Sequence, residues 1–286
     1  MRDDFSALAG VQFAKGHGTL NDFVILPDPE GTLPLTPARV AALCDRRGGI
    51  GGDGLLRVVR SACHPDAAAQ AGAAEWFMDY WNADGSIAEM CGNGIRVYLR
   101  YLLAAGLTVG DEVTVATRSG PRTGLVRGDE IAVGMGTPTL RGTTSAMVGT
   151  EGFPGVAVDT GNPHLVCPLP VGDTDGLEAL DLTHAPGIDA AIFPTGANVE
   201  FCTELADQVK DADLHVRMRV HERGAGETAS CGSGAVALAA VVLREAGLDV
   251  GAVAIDVPGG RLTASLDAGE IPLAGPAVIV ATGTVI

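Results

Sequence analysis

The chain has 286 residues, about two domains' worth at roughly 150 residues each, and its 47% hydrophobic and 19% charged content is that of a folded protein. A formal charge of −16 repels phosphate backbones and anionic lipid, which excludes nucleic acid and membrane surfaces as partners. Forty glycines, about twice the average share, imply many turns and therefore many short strands.

In chain order, the acidic start Met1–Asp4 is followed by no apolar stretch of the kind a secretory signal carries, so a cytoplasmic location is expected. Thr36 precedes Pro37 and predicts a helix to Arg47. Gly49-Ile50-Gly51-Gly52-Asp53-Gly54 satisfies a dinucleotide-binding pattern in letters only, because a helix precedes it and the strand Leu55–Val59 follows, the reverse of what that site needs. Trp76–Trp81 predicts an aromatic-rich strand, and Ile95–Leu103 a helix opened by Cys91-Gly92-Asn93-Gly94 and closed by Gly106. Strands are expected at Glu112–Thr117 and Glu130–Met135. The Gly/Thr-rich stretch Gly134–Thr150 shows no periodicity and is expected to be a linker, with a domain boundary near residue 137. Leu214–Val220 alternates at period two, Ala235–Leu243 predicts a buried helix closed by Gly247, and Ala252–Val257 and Pro276–Val280 predict strands. The apolar run Ala235–Leu243 is half the roughly 18 residues a bilayer span needs.

The chain repeats itself. Cys91-Gly92-Asn93-Gly94 recurs as Cys231-Gly232-Ser233-Gly234, each opening an apolar helix. Asn21 and Asn162 precede their cysteines by similar distances, and Asn82 and Glu222 stand in matching places just ahead of them. Six cysteines, at 44, 63, 91, 167, 202 and 231, include no Cys-x-x-Cys pair, so neither a disulfide scaffold nor a metal site is indicated. Cys44, Cys63, Cys167 and Cys202 read as packing residues. Cys91 and Cys231 differ, because a helix N-terminus is expected to lower a thiol pKa.

Such a turn also binds anions through its N–H groups, so Gly92, Asn93, Gly232 and Ser233 could hold one carboxylate between two thiols. Removing a proton from the α-carbon of an amino acid needs a base and donors for the spreading charge, and inverting the centre needs an acid on the opposite face. A thiolate and a thiol meet that need without a cofactor. Lys15 and Lys210, the only lysines, lie in no phosphate-cradling context that would suggest pyridoxal phosphate. His164 and Glu222 could tune the thiols. For Asn21, Asn82, Asn162 and Asn198 the residues alone leave a simple Asx turn and a ligand contact equally open, and Arg223 could fork a second carboxylate or make a surface ion pair.

Taken in series, Lys15–Gly18, Asn21–Phe23, Gly49–Gly54, Asn82–Ser86, Met90–Gly94, Gly161–His164, Asn198–Phe201, Glu222–Gly224 and Cys231–Gly234 resemble the diaminopimelate epimerase family over nearly the whole chain. The resemblance implies an α/β (α+β) fold of two pseudo-symmetric domains, each a β-barrel-like sheet around a central helix, with the active site in the cleft between them. The expected domains are 1–137 plus 276–286, carrying Cys91, and 138–275, carrying Cys231. It implies interconversion of LL- and meso-diaminopimelate in lysine and peptidoglycan precursor synthesis, without cofactor or metal. Cys91 and Cys231 would be the acid–base pair, poised by His164 and Glu222. Gly92, Asn93, Gly232 and Ser233 would hold the reacting carboxylate. Asn21, Asn82, Asn162, Asn198, Glu222 and Arg223 would bind the distal centre.

Three positions depart from the pattern. Gly54 stands where some members carry a substrate-contacting glutamine. Ala281 stands where some place an aromatic at the dimer contact, which leaves a homodimer open. The segment before Val11 matches nothing and is expected to lack fixed structure. A proline- or hydroxyproline-type two-cysteine racemase and a thiol redox protein are the competing readings, whereas a phenazine-type isomerase lacks the thiol pair.

Overall fold

The computed structural model describes residues 5–267 and 271–286. The chain divides into two units, Met1–Val133 with Pro276–Ile286, and Gly134–Gly275.

The first unit runs β1 (Gln12–Gly18), β2 (Asn21–Pro27), α1 (Pro37–Cys44), β3 (Gly54–Arg60), β4 (Trp76–Asn82), α2 (Gly92–Ala104), β5 (Glu112–Val115), β6 (Arg122–Arg127) and β7 (Glu130–Gly134). The second runs β8 (Thr139–Val148), β9 (Glu151–Asp159), β10 (Pro163–Pro168), α3 (Thr174–Ala179), β11 (Gly187–Ile188), β12 (Asn198–Glu204), β13 (Leu214–Glu222), β14 (Gly226–Thr228), α4 (Gly232–Glu245), β15 (Gly251–Val257), β16 (Gly260–Leu266) and β17 (Pro272–Pro276). The last strand, β18 (Val278–Thr284), returns to the first unit and pairs antiparallel with β1.

The repeat in the sequence is a repeat of topology. In the first unit β1 pairs antiparallel with β2, α1 carries the chain over to a parallel β3, and β4 pairs antiparallel with β3. In the second, β9 and β10 pair antiparallel, α3 lies on the crossover to a parallel β12, and β13 pairs antiparallel with β12. From β13, α4 crosses to a parallel β15, as α2 crosses from β4 to a segment bridged in parallel at Phe77 and Ala116. The sheet of the first unit is ordered β18-β1-β2-β3-β4. β8 pairs with β9 as β18 pairs with β1, so the two strands play one part in two copies of the unit.

This corrects the linker expected at Gly134–Thr150. Ten of its residues form β8, and the strand shows no apolar alternation because Ala146 is its only buried residue. The C-terminal strand is displaced as well, running from Val278 to Thr284 with Ala281 inside it opposite Lys15. At the other end, Phe5–Leu8 form a 3-10 turn and Leu8 is fully buried, so fixed structure begins before Val11, while residues 1–4 lie outside the described residues.

Both faces of the first sheet are covered. Phe23, Ile25, Leu56 and Val58 pack with Tyr98, Leu99 and Leu102 of α2, and Val24, Leu26 and Leu55 pack with Leu8, Val40 and Leu43 on the α1 side. Side chains alternate across a strand, so each of these strands must be apolar on both faces. In the second unit α4 is buried over most of its length, and its alanines at 235, 237, 239 and 240 let strands approach closely. No helix among the described residues is long and apolar enough to cross a membrane.

Candidate active site

Each thiol is the N-cap of a central helix. Cys91 has extended backbone (φ −142°, ψ 121°), and its Sγ accepts the Gly94 N–H at 3.3 Å. Cys231 repeats this before α4 (φ −121°, ψ 114°), with its Sγ accepting the Gly234 N–H at 3.4 Å. Ser, Thr, Asp and Asn are the favoured N-caps, so cysteine in that place twice sacrifices a better cap for a reactive sulfur. Gly234 is required by space, since a Cβ there would come within 2.5 Å of Glu200 Oε1.

Around Cys91, Asn21 Oδ1 lies 3.8 Å from Sγ and accepts the Asn93 amide at 3.2 Å. Asn21 Nδ2 donates to Asp53 Oδ2 at 2.8 Å. Asn93 Oδ1 in turn accepts Arg96 Nη2 at 2.8 Å. Asp53 belongs to an ion cluster in which Arg46 bridges Asp22 and Asp53, both at 2.7 Å, and Lys15 pairs with Asp22 at 2.6 Å. Burial pushes the Asp22 carboxyl up, but the bonds from Arg46 and Lys15 outweigh it and hold the group below the usual range.

Cys231 is buried and has Ser233 Oγ at 3.5 Å. Burial pushes its thiol up, and the Glu222 and Glu200 carboxylates push it further, outweighing the bonds from Ser233 and Gly234. The lowered thiol expected at this helix start is therefore wrong for Cys231, because desolvation and two nearby negative charges exceed the helix dipole. Burial also raises the Glu222 carboxyl, against the opposing bonds from Thr228 and Cys231; Thr228 Oγ1 donates to Glu222 Oε1 at 2.5 Å.

His164 is fully buried and its Nδ1 lies 2.7 Å from Glu200 Oε1, while its Nε2 has no hydrogen-bond partner among the described residues. Asn198 Oδ1 accepts the Arg223 backbone N–H at 2.8 Å, and Arg223 Nη1 donates to Thr195 O at 3.2 Å. Asn82 donates to Ser86 Oγ at 3.0 Å within its own turn, and Asn162 lies exposed in the turn before β10. The structure thus links Asn21, Asn93 and Cys91 in the first unit, and links Glu222 with Cys231 and Asn198 with Arg223 in the second.

Asp53, Arg96 and Glu200 were not singled out by sequence. The signal for two of them was a charged residue inside an apolar element: Arg96 in Ile95–Leu103 and Glu200 between Val199 and Phe201. Gly54 has no room for a side chain, because a Cβ would meet Trp81 O at 2.7 Å and the Tyr80 ring at 2.8 Å.

The family model for diaminopimelate epimerase matches residues 13–141 and 156–285, one match for each copy of the repeat. The chain belongs to the diaminopimelate epimerase family. It is accordingly an isomerase. The diaminopimelate epimerase of Streptomyces coelicolor is 50% identical over 282 residues, covering 96% of this chain and 94% of its own. That of Rhodococcus jostii is 48% identical over 285 residues, covering 96% of each. Among solved structures, a phenazine biosynthesis protein of the PhzF family from Bacillus anthracis superimposes with a TM-score of 0.71 at 17% identity, covering 96% of this chain and 99% of its own, which shows a shared fold.

Proposed function

We propose that the protein interconverts LL- and meso-2,6-diaminopimelate by a two-base reaction in which Cys91 and Cys231 exchange a proton with the α-carbon from opposite faces. One sulfur, as thiolate, takes the α-proton. The other, as thiol, delivers its proton to the opposite face, so the pair ends each turnover with the charge exchanged and no redox change. The observation that carries this reading is the repeated one: each copy of the unit ends its approach to a central helix in a cysteine whose sulfur caps that helix.

Backbone donors at Gly92, Asn93, Gly232 and Ser233 hold the reacting carboxylate and stabilise the charge that spreads into it. Asn21, Asn82, Asn162, Asn198, Glu222 and Arg223 bind the distal amino-acid centre. Asn21 does so while anchored by Asp53, which fixes its amide before substrate arrives. Burial, with the Glu222 and Glu200 carboxylates, keeps Cys231 protonated in the resting state, and His164, oriented by Glu200, serves proton exchange. The reaction needs no organic cofactor or metal, and the enzyme works in the cytoplasm, where thiols stay reduced.

Chromatographic resolution of LL- and meso-diaminopimelate tests this reading. Cys91→Ala and Cys231→Ala are each expected to lose roughly 10³-fold or more in kcat/KM, because each thiol serves one face alone. Joining the two thiols in a disulfide should abolish turnover until reductant is added. Wild-type turnover by Cys91→Ala, full activity of the oxidised form, or faster turnover of proline than of diaminopimelate would overturn it.

A further inference from the structure

The two thiols sit in opposite electrostatic surroundings, although the repeat makes their backbones alike. Five residues after Cys231, α4 carries Val236; five residues after Cys91, α2 carries Arg96. Arg96 is fully buried. A helical side chain leans toward the N-terminus of its helix, and the guanidinium accordingly reaches back to Gly92 O at 3.4 Å and Asn93 Oδ1 at 2.8 Å. Its Nη2 lies against the backbone of Gly18, where a Cβ would approach to 3.3 Å.

Among the described residues this guanidinium has no carboxylate partner. It forms no ion pair among the described residues, and its Nε has no hydrogen-bond partner among them. A buried cation without an anion is costly, because desolvation is not repaid by attraction. Burial draws Arg96 down to about 10, and the charge on Cys91 opposes that. The other charged groups near this end of the unit do not supply the missing anion. Lys15, Arg46, Asp22 and Asp53 form a closed set of two cations and two anions, with Asp53 reaching Cys91 only through the neutral Asn21.

Cys231 has the reverse surroundings, with Glu222 and Glu200 close by and His164 bonded to Glu200. We propose that Arg96 is a positioning residue whose buried charge, held against the first turn of α2, favours Cys91 as the resting thiolate, while Cys231 rests as the thiol. The inference rests on the two-base reading, and it makes the resting enzyme ready for the isomer whose α-proton faces Cys91, with Cys91 as base and Cys231 as donor.

The test is alkylation of the intact, reduced protein by iodoacetamide across pH 5–10, read for each cysteine peptide by mass spectrometry, so that the pH of half-maximal rate is obtained separately for the two thiols. Thiols alkylate as thiolates, with an ordinary midpoint near about 8.5. Cys91 is expected to reach half-maximal rate below about pH 7.5, with Cys231 higher; a Cys91 midpoint at or above about 7.5, or above that of Cys231, overturns the proposal. Arg96→Met is expected to move the Cys91 midpoint up by about one unit or more, and Arg96→Lys by less than half as much. An Arg96→Met variant that is folded and raises KM with an unmoved Cys91 midpoint would assign the guanidinium to the substrate carboxylate instead, and overturns the proposal. The wild-type titration decides the matter if Arg96→Met does not fold. Failure here is separable from failure of the two-base reading, because an inactive Cys91→Ala with an ordinary wild-type Cys91 midpoint sinks only the role of Arg96.

Discussion

At Cys231 the repulsion from Glu222 can be removed without removing volume. Glu222→Gln replaces a carboxylate with a neutral amide, and a thiol raised by a neighbouring negative charge must come down when that charge is lost. The Cys231 alkylation midpoint is expected to fall by about one pH unit in Glu222→Gln, while that of Cys91 is unchanged. An unmoved Cys231 midpoint would mean that burial and Glu200, not Glu222, set the thiol. At this scale the sequence exposed the cysteines because each stands in a Gly-rich turn opening an apolar helix. It could not expose Arg96 or Glu200 as tuning groups: their effect depends on which charges are buried near which sulfur, and a single charged letter in an apolar run says nothing about its partner. Gly54 is similar, since the backbone and ring that forbid a side chain there come from the neighbouring strand.

The two central helices stop by the same device. After α2, the Gly106 N–H bonds Leu103 O at 3.1 Å and the Leu107 N–H bonds Leu102 O at 2.9 Å; after α4, Gly247 bonds Arg244 O at 3.0 Å and Leu248 bonds Leu243 O at 2.9 Å. This is a Schellman end, with glycine in the left-handed region at φ 66° and 72°. Both glycines face open space, so alanine would clash with nothing and would lose only its preferred backbone. Gly106→Ala and Gly247→Ala are each expected to cost about 1–2 kcal/mol, read as a lower thermal midpoint without loss of kcat. A substitution with no effect on the midpoint would show that the helix end relaxes to another turn. These ends were legible in sequence because glycine after an apolar run has one physical reason to be there. β8 was not legible, because the pattern of a strand is written by burial on one face, and β8 is mostly exposed.

Over the whole molecule, one unit of fold is used twice, and the strand that flanks β1 in one copy and β9 in the other is supplied from two different places. β8 is the first strand of its own unit, whereas β18 is separated from β1 by the whole second unit. The long-range β18–β1 pairing left no local trace, and β8 read as a connection between halves because it is mostly exposed. The repeat of the cysteine turns was legible because both copies preserve the same letters. Their opposite charge surroundings were not, because the asymmetry lies in single residues, Arg96 against Val236 and the added Glu200. In the proposed reaction two sulfurs, not one, serve the inverted carbon. Proton NMR of LL-diaminopimelate in heavy water, with reduced protein and no added cofactor, tests it most directly. A two-base reaction delivers a solvent-derived proton to the face opposite the one attacked, so meso product should form with deuterium at the inverted carbon from the first turnovers. Meso product that keeps its original α-proton would contradict the account, as would a fully reduced protein that exchanges no proton at all.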